Sequence, residues 1–221
     1  MLKNIIFDWS GTLVDDLPAV LAATNHVFAK SGRAPMGLDE FRAEFCLPFT
    51  HFYDKHTPHL PLPILEDWFH QYFRQAQHLV TDLPHAHEFL SFCRDQGIRM
   101  FVLSTIHEEY FVIHTNLNGF GGFFERAYLA IRDKRAKIAE VLVENNLVAD
   151  ETLFIGDMQH DIDTARHGGI LSCAVLTGYN RIEQLRASNP HIIVEDLDAL
   201  RRILVSNGFE LPAVSPDFVS K

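Results

Sequence analysis

The 221-residue sequence has no run of about 18 apolar residues that could span a bilayer. The apolar stretch in its opening MLKNIIFDWSG is too short for a secretory signal. A cytosolic location without membrane association is therefore expected. Cysteine is scarce: Cys46, Cys93 and Cys173 are odd in number and far apart. That pattern suggests neither a disulfide framework nor a CxxC redox or zinc site, so buried or idle thiols are expected. Positive charge is in the minority, with 19 Lys and Arg against 29 Asp and Glu and a formal net charge of −10. Binding that neutralises many nucleic-acid phosphates needs clustered Lys and Arg and is not expected. A small anionic ligand is still permitted, because it responds to local charge rather than to the whole surface. Seven of the 13 histidines fall between His51 and His87. None forms an HxxxH pair with a convincing third ligand, so they are read as polar-face residues rather than zinc ligands. No internal repeat and no low-complexity tract is present.

What is present is ample apolar content, 47%, arranged in a rhythm. Short β-rich apolar runs at Asn4 to Phe7, Met100 to Leu103, Thr152 to Ile155, Cys173 to Leu176 and Ile192 to Val194 look like strands buried on both faces. Helical patterns lie between them, at Ala86 to Asp95 before Gly97 and at Lys134 to Asn146 behind a capping Asp133. The alternation predicts an α/β fold with a mostly parallel sheet covered by helices on both faces. From about Leu17 to Leu83 the rhythm breaks: helix formers and aromatics dominate, with prolines at 58, 61 and 63. The expected organisation is an α/β core of residues 1–16 and 84–208, an inserted helical subdomain of residues 17–83, and a C-terminal tail of residues 209–221 whose LPAVSPDFVSK has no periodicity.

Four pieces carry chemistry. In Phe7-Asp8-Trp9-Ser10-Gly11-Thr12-Leu13-Val14-Asp15, a buried strand delivers Asp8 to its C-terminal end, where open α/β sheets place ligands, and Gly11 permits a sharp turn beside the ligand. Phe101 to Thr105 is a second apolar strand ending in the hydroxyls of Ser104 and Thr105, which could donate to an anion. Lys134 opens a helix, where its charge opposes the macrodipole and calls for a compensating anion; Lys137 is a rival one turn on. Phe154 to Asp161 ends a strand in GDxxxD, placing Asp157 and Asp161 where two carboxylates suit a hard cation such as magnesium. Each piece alone is also compatible with a cap, a turn or a solvated surface residue.

Together, in this order and with Lys134 lying 23 residues before Asp157, they resemble the haloacid dehalogenase superfamily. The likeness runs from about Asn4 to Asp196 and is greatest to the phosphoglycolate phosphatase-like branch with a helical cap. It extends to Ala165-Arg166-His167-Gly168-Gly169 and Thr177-Gly178-Tyr179, which look like the family's later helix and loop. The resemblance implies a Rossmann-like core and a magnesium-dependent hydrolase of a small phosphorylated metabolite, acting as a monomer or homodimer through an aspartyl-phosphate on Asp8. It implies that magnesium bridges Asp8, Asp157 and the main-chain carbonyl of Ser10, with Asp161 supporting the metal shell. Ser104 would donate to a phosphoryl oxygen and Lys134 would neutralise charge; Gly11, Thr12 and Thr105 complete the implied phosphate-binding set.

The sequence departs from the family's phosphatases at Ser10, where an Asp normally serves as acid and base. A hydroxyl cannot replace it, and losing such a group costs about 100 to 10,000-fold, so slow turnover is expected. Asp8 to Thr12 also looks like the DWAGT motif of phosphonoacetaldehyde hydrolase, which lacks the same Asp and uses a cap lysine as a Schiff base. Here the inserted region holds only Lys30 and Lys55, and neither follows the Gly-x-x-Lys pattern. A binding protein that kept the fold and lost turnover is the third reading. Cys46-Leu47-Pro48-Phe49 resembles the Gly-x-Pro loop that such caps send into the site, and His51, Tyr53 and Lys55 are candidate specificity residues.

Overall fold

Successive side chains of a strand point to opposite faces of its sheet. Ile5 and Phe7 enter one apolar cluster and Ile6 another, and all three are inaccessible to solvent. The computed structural model of the protein describes residues 1–211. Its strands are β1 (Asn4–Phe7), β2 (Val14–Asp15), β3 (Thr81–Asp82), β4 (Arg99–Leu103), β5 (Arg126–Tyr128), β6 (Thr152–Gly156), β7 (Leu171–Val175) and β8 (Ile192–Val194). Six of them form one parallel sheet in the order β5-β4-β1-β6-β7-β8. The same alternation continues outward: Val102, Ile155 and Cys173 join Phe7 on one face, while Phe101 and Phe154 join Ile6 on the other.

The helices are α1 (Leu17–Lys30), α2 (Leu38–Glu44), α3 (Phe49–His56), α4 (Leu62–Gln75), α5 (Ala86–Asp95), α6 (Glu108–Asn118), α7 (Lys134–Glu144), α8 (Gln159–Gly168), α9 (Ile182–Ala187) and α10 (Leu197–Ser206). α5 and α10 bury Phe89, Leu90, Leu200 and Leu204 against one face; α7 and α8 bury Ile138, Val141 and Ala165 against the other. The α/β architecture with helices on both faces and a helical insertion is as expected.

The insertion packs α1 along α4 and has its own apolar centre, including Phe28, Phe41, Phe52 and Leu65. Met158 and Tyr179, from loops of the sheet domain, complete that centre. β2 and β3, which lead into and out of the helices, pair antiparallel with each other. Two pairings escaped the sequence reading. β2 and β3 are only two residues each, and the edge strand β5, Arg-Ala-Tyr, buries only Tyr128, so neither shows an apolar run. No helix among the described residues is long and apolar enough to cross a membrane. Of the expected tail, residues 212–221 lie outside the described residues; the Phe209 ring stacks on Phe92 with centroids 5.8 Å apart.

Candidate active site

The chain passes from β1 to β4 on one side and returns to β6 on the other, so the carboxyl end of β1 is the switch point of the sheet. Asp8, Ser104 and Asp157 stand immediately after β1, β4 and β6. All three are buried, as are Lys134 and Asp161.

Lys134 opens α7, whose N-cap Asp133 accepts the Arg135 N–H. The compensating anions are in place: Lys134 Nζ lies 2.8 Å from Asp8 Oδ1 and 2.7 Å from Asp161 Oδ1. Burial works against the ammonium, but the two carboxylates outweigh it and hold its pKa up at about 12. Lys137 instead pairs with exposed Glu140 on the helix surface. Asp8 Oδ1 also accepts the Trp9 N–H at 2.6 Å. Its second oxygen, Oδ2, has no protein donor among the described residues, and Asp8 lines the cavity above the sheet.

Asp157 is held by its neighbours' lack of side chains. Its Oδ2 accepts the Tyr179 N–H at 2.7 Å, and the Thr12 hydroxyl stands 3.3 Å from Oδ1. A Cβ on Gly178 would fall 2.0 Å from Asp157 Oδ2, and one on Gly11 2.4 Å from it. Gly11 also has φ +72°, the left-handed region that glycine enters freely. Asp161 is packed against Gly156 in the same way. Both of its oxygens are engaged, Oδ1 by Lys134 and Oδ2 by the Met158 N–H at 3.0 Å.

Carboxylate oxygens of Asp8, Asp157 and Asp161 lie within 4.8 Å of one another. Three carboxylates against one ammonium leave two negative charges in excess when all are ionised. Burial pushes the pKa of Asp157 well up, and the other two carboxylates add to it. Asp8 is raised by burial too, with Lys134 the main opposing influence. A buried cluster of hard oxygen donors with excess negative charge fits magnesium. Among the described residues Asp8 Oδ2 is the one carboxylate oxygen of the three without a protein donor; Asp157 and Asp161 each have both oxygens hydrogen-bonded, with the contact from Thr12 to Asp157 Oδ1 the longest at 3.3 Å.

The hydroxyl of Ser10 donates to Asp16 Oδ2 at 2.6 Å, and Tyr179 donates its hydroxyl to Asp16 Oδ1 at 2.8 Å. Burial raises the Asp16 pKa to about 6, with the two hydroxyls opposing it. Sequence reasoning missed this unit. An acid one residue before α1 reads as a helix cap, yet the Asp16 side chain makes no capping bond and turns to Ser10 instead. Ser104 is buried, and its hydroxyl accepts the Ile106 N–H at 3.3 Å; Thr105 lines the cavity. The Thr12 hydroxyl faces Asp157 rather than the cavity, and the Gly11 carbonyl accepts the Thr177 hydroxyl at 2.7 Å.

The cavity measures about 490 Å³. Asp8, Ser10 and Asp16 form its floor, and Leu47 and Phe49 of the Cys46 loop reach its wall together with Tyr53. Of the other candidate specificity residues, His51 is exposed and Lys55 pairs with Glu44 on the surface. Lys30 is exposed over the Trp68 ring. Cys93 and Cys173 are buried, whereas Cys46 is exposed.

A family model described as haloacid dehalogenase-like hydrolase matches residues 5–175. A phosphoglycolate phosphatase of Pseudomonas putida is 23% identical over 216 residues, which covers 90% of this chain and 78% of the relative. A pyrophosphatase, PpaX, of Oceanobacillus iheyensis is 21% identical over 201 residues, 89% of this chain and 94% of the relative. Among solved structures, a predicted phosphatase from Clostridium acetobutylicum superposes with a TM-score of 0.84 at 17% identity, covering 93% of this chain and 99% of that one.

Proposed function

Because the chain belongs to the haloacid dehalogenase-like hydrolases, we propose that it is a magnesium-dependent phosphatase of a small phosphorylated metabolite, phosphoglycolate phosphatase-like, with Asp8 as nucleophile. The observation that carries this reading is the split engagement of Asp8, a residue that lines the cavity: Lys134 and the Trp9 N–H take Oδ1, and Oδ2 has no protein donor among the described residues.

In this reading Asp8 Oδ2 attacks phosphorus, the bond from phosphorus to the leaving oxygen breaks, and water later hydrolyses the aspartyl-phosphate. Lys134 neutralises Asp8 and the incoming phosphoryl group, and Ser104 and Thr105 donate hydrogen bonds to its oxygens, with Gly11 and Thr12 shaping the turn beside it. Asp8, Asp157 and the Ser10 carbonyl would hold magnesium, which would supply charge neutralisation to a reaction that depends mainly on positioning and electrostatics. Asp161 fixes Lys134 through Oδ1 and, beside Asp8 and Asp157, would support the metal shell.

Ser10 cannot act as the acid and base that a carboxylate would supply there, so turnover of ordinary esters is slow. Neither Lys30 nor Lys55 lines the cavity, which counts against Schiff-base chemistry on phosphonoacetaldehyde. The test is release of inorganic phosphate from a panel of phosphomonoesters and phosphonoacetaldehyde, with magnesium and with EDTA, beside Asp8→Asn. Turnover that needs both magnesium and Asp8 supports the phosphatase. Turnover that survives in Asp8→Asn removes the nucleophile assignment, and a metal-dependent phosphate complex without turnover supports a binding protein.

A further inference from the structure

The wall of the cavity above Asp8 differs in kind from its floor. Phe45, Leu47, Phe49, Phe69 and Phe73 all face it. Val20, Leu65, Ile106 and Met158 line it as well. Its volume, about 490 Å³, lies within the roughly 300 to 1,000 Å³ of pockets that take drug-sized organic ligands.

The charge on that wall, away from the floor, is one pair of opposite sign, Glu66 and Arg132. Among the described residues Arg132 is the one Lys or Arg lining it, and its guanidinium is already bridged to Glu66 at 2.8 Å. The polar edge is made of His70, His107 and Tyr110, with His70 Nδ1 3.1 Å from the Tyr110 hydroxyl. Burial favours the neutral form of His70. A leaving group carrying its own carboxylate would meet apolar rings and no free cation, a costly environment for an unpaired charge.

We propose, resting on the phosphatase reading above, that the leaving group is a bulky, uncharged, aromatic or branched apolar alcohol rather than a small hydroxy acid. Its phosphate sits on the floor beside Asp8 and its apolar body lies among Phe45, Phe49, Phe69 and Phe73.

The experiment compares kcat/KM for 2-phenylethyl phosphate, ethyl phosphate and phosphoglycolate with magnesium present. All three leave as alkoxides, and the glycolate oxygen is intrinsically the better leaving group, so reactivity alone favours phosphoglycolate. One added methylene in an apolar pocket is worth about 10 to 200-fold, so 2-phenylethyl phosphate is expected to exceed ethyl phosphate by at least about tenfold and phosphoglycolate by more. Phe49 is half-buried, and Phe49→Arg places a cation on the wall. It is expected to lower the ratio of 2-phenylethyl phosphate to phosphoglycolate by at least tenfold.

Turnover led by ethyl phosphate or phosphoglycolate overturns the apolar leaving group and leaves the phosphatase standing. A ratio unmoved by Phe49→Arg overturns it too, because the body of the substrate then lies elsewhere. Silence on all three esters and on the wider panel removes both readings.

Discussion

Lys134 Nζ sits between Asp8 Oδ1 and Asp161 Oδ1, 2.8 Å from one and 2.7 Å from the other, with no solvent access to the lysine. One cation thus holds together carboxylates delivered by β1 and by the first turn of α8, 153 positions apart in the chain.

Removing that cation should be costly even without substrate. Lys134→Met leaves three buried carboxylates facing one another, and breaking a buried pair costs about 3 to 5 kcal/mol. For a chain of this length that amounts to a melting temperature lower by roughly 6 to 20 °C. Melts in EDTA and in magnesium test it. Magnesium is expected to stabilise Lys134→Met more than the parent protein, since it supplies the missing positive charge. Equal magnesium shifts in the two proteins would place the metal elsewhere.

Gly178 bears directly on Asp157, the proposed metal ligand. Its Cβ would lie 2.0 Å from Asp157 Oδ2, while Gly37 has nothing within 4 Å. Gly178→Ala must therefore push the Asp157 carboxylate aside, and a displaced ligand weakens metal affinity by about 10 to 100-fold on the scale of disturbed metal-site neighbours. Magnesium titration by calorimetry should show that loss in Gly178→Ala and none in Gly37→Ala. Unchanged affinity in Gly178→Ala would remove Asp157 from the metal site.

How far the sequence revealed this site depended on whether chemistry lay in one stretch of chain. β1 and β6 were legible because both faces of the central strands are buried, which leaves an uninterrupted apolar run before Asp8 and Asp157. Lys134 was legible as a misplaced charge at a helix start, and its anions proved to be Asp8 and Asp161. The Ser10, Asp16 and Tyr179 unit was hidden, because Tyr179 comes from a loop 163 positions beyond Asp16 and nothing in the local sequence marks an acid at a helix start as its partner. The aromatic wall was hidden for a related reason: its rings come as two pairs four residues apart, Phe45 with Phe49 and Phe69 with Phe73, and the pairs lie 20 residues from each other in the chain.

Two buried groups away from Lys134 should oppose each other as pH falls. His114 accepts the Trp9 Nε1–H on Nδ1 and meets Gln77 Oε1 through Nε2, and burial lowers its pKa from 6.5 to about 4. The unfolded chain then binds the proton first, so its stabilisation, present above about pH 6.5, is lost as pH falls towards 4, by roughly 3 kcal/mol. Asp16 is the reverse. Its pKa is raised from 3.8 to about 6, so its contribution is fully present below pH 3.8 and lost as pH rises through 6, by a similar amount of about 3 kcal/mol. Denaturant midpoints between pH 7 and 4 should change little from these two groups together. His114→Leu is expected to gain stability on acidification relative to the parent, and Asp16→Asn to lose it. Parallel profiles for all three proteins would refute both assignments.

The same Asp16 decides whether the phosphatase carboxylate missing at position 10 can be restored. Ser10→Asp alone places a carboxylate where the Ser10 hydroxyl now donates to Asp16 Oδ2 at 2.6 Å. A half-buried and a buried carboxylate so close repel, so the new side chain turns away or the pair shares one proton. Either outcome spoils its use, and the single variant is expected to hydrolyse phosphomonoesters little faster than the parent. Pairing it with Asp16→Ser removes the repulsion and returns a hydrogen-bond donor to the new carboxylate. The double variant should then release phosphate about 100-fold faster, the lower range of what a general acid and base contributes. The two substitutions are in contact, so their effects on kcat should be strongly non-additive, with Asp16→Ser alone giving no gain. Measuring kcat for the four proteins on one ester closes the cycle. Additive effects would mean that Ser10 and Asp16 do not act on each other, and a fast single Ser10→Asp variant would mean that Asp16 leaves room for the ordinary phosphatase carboxylate.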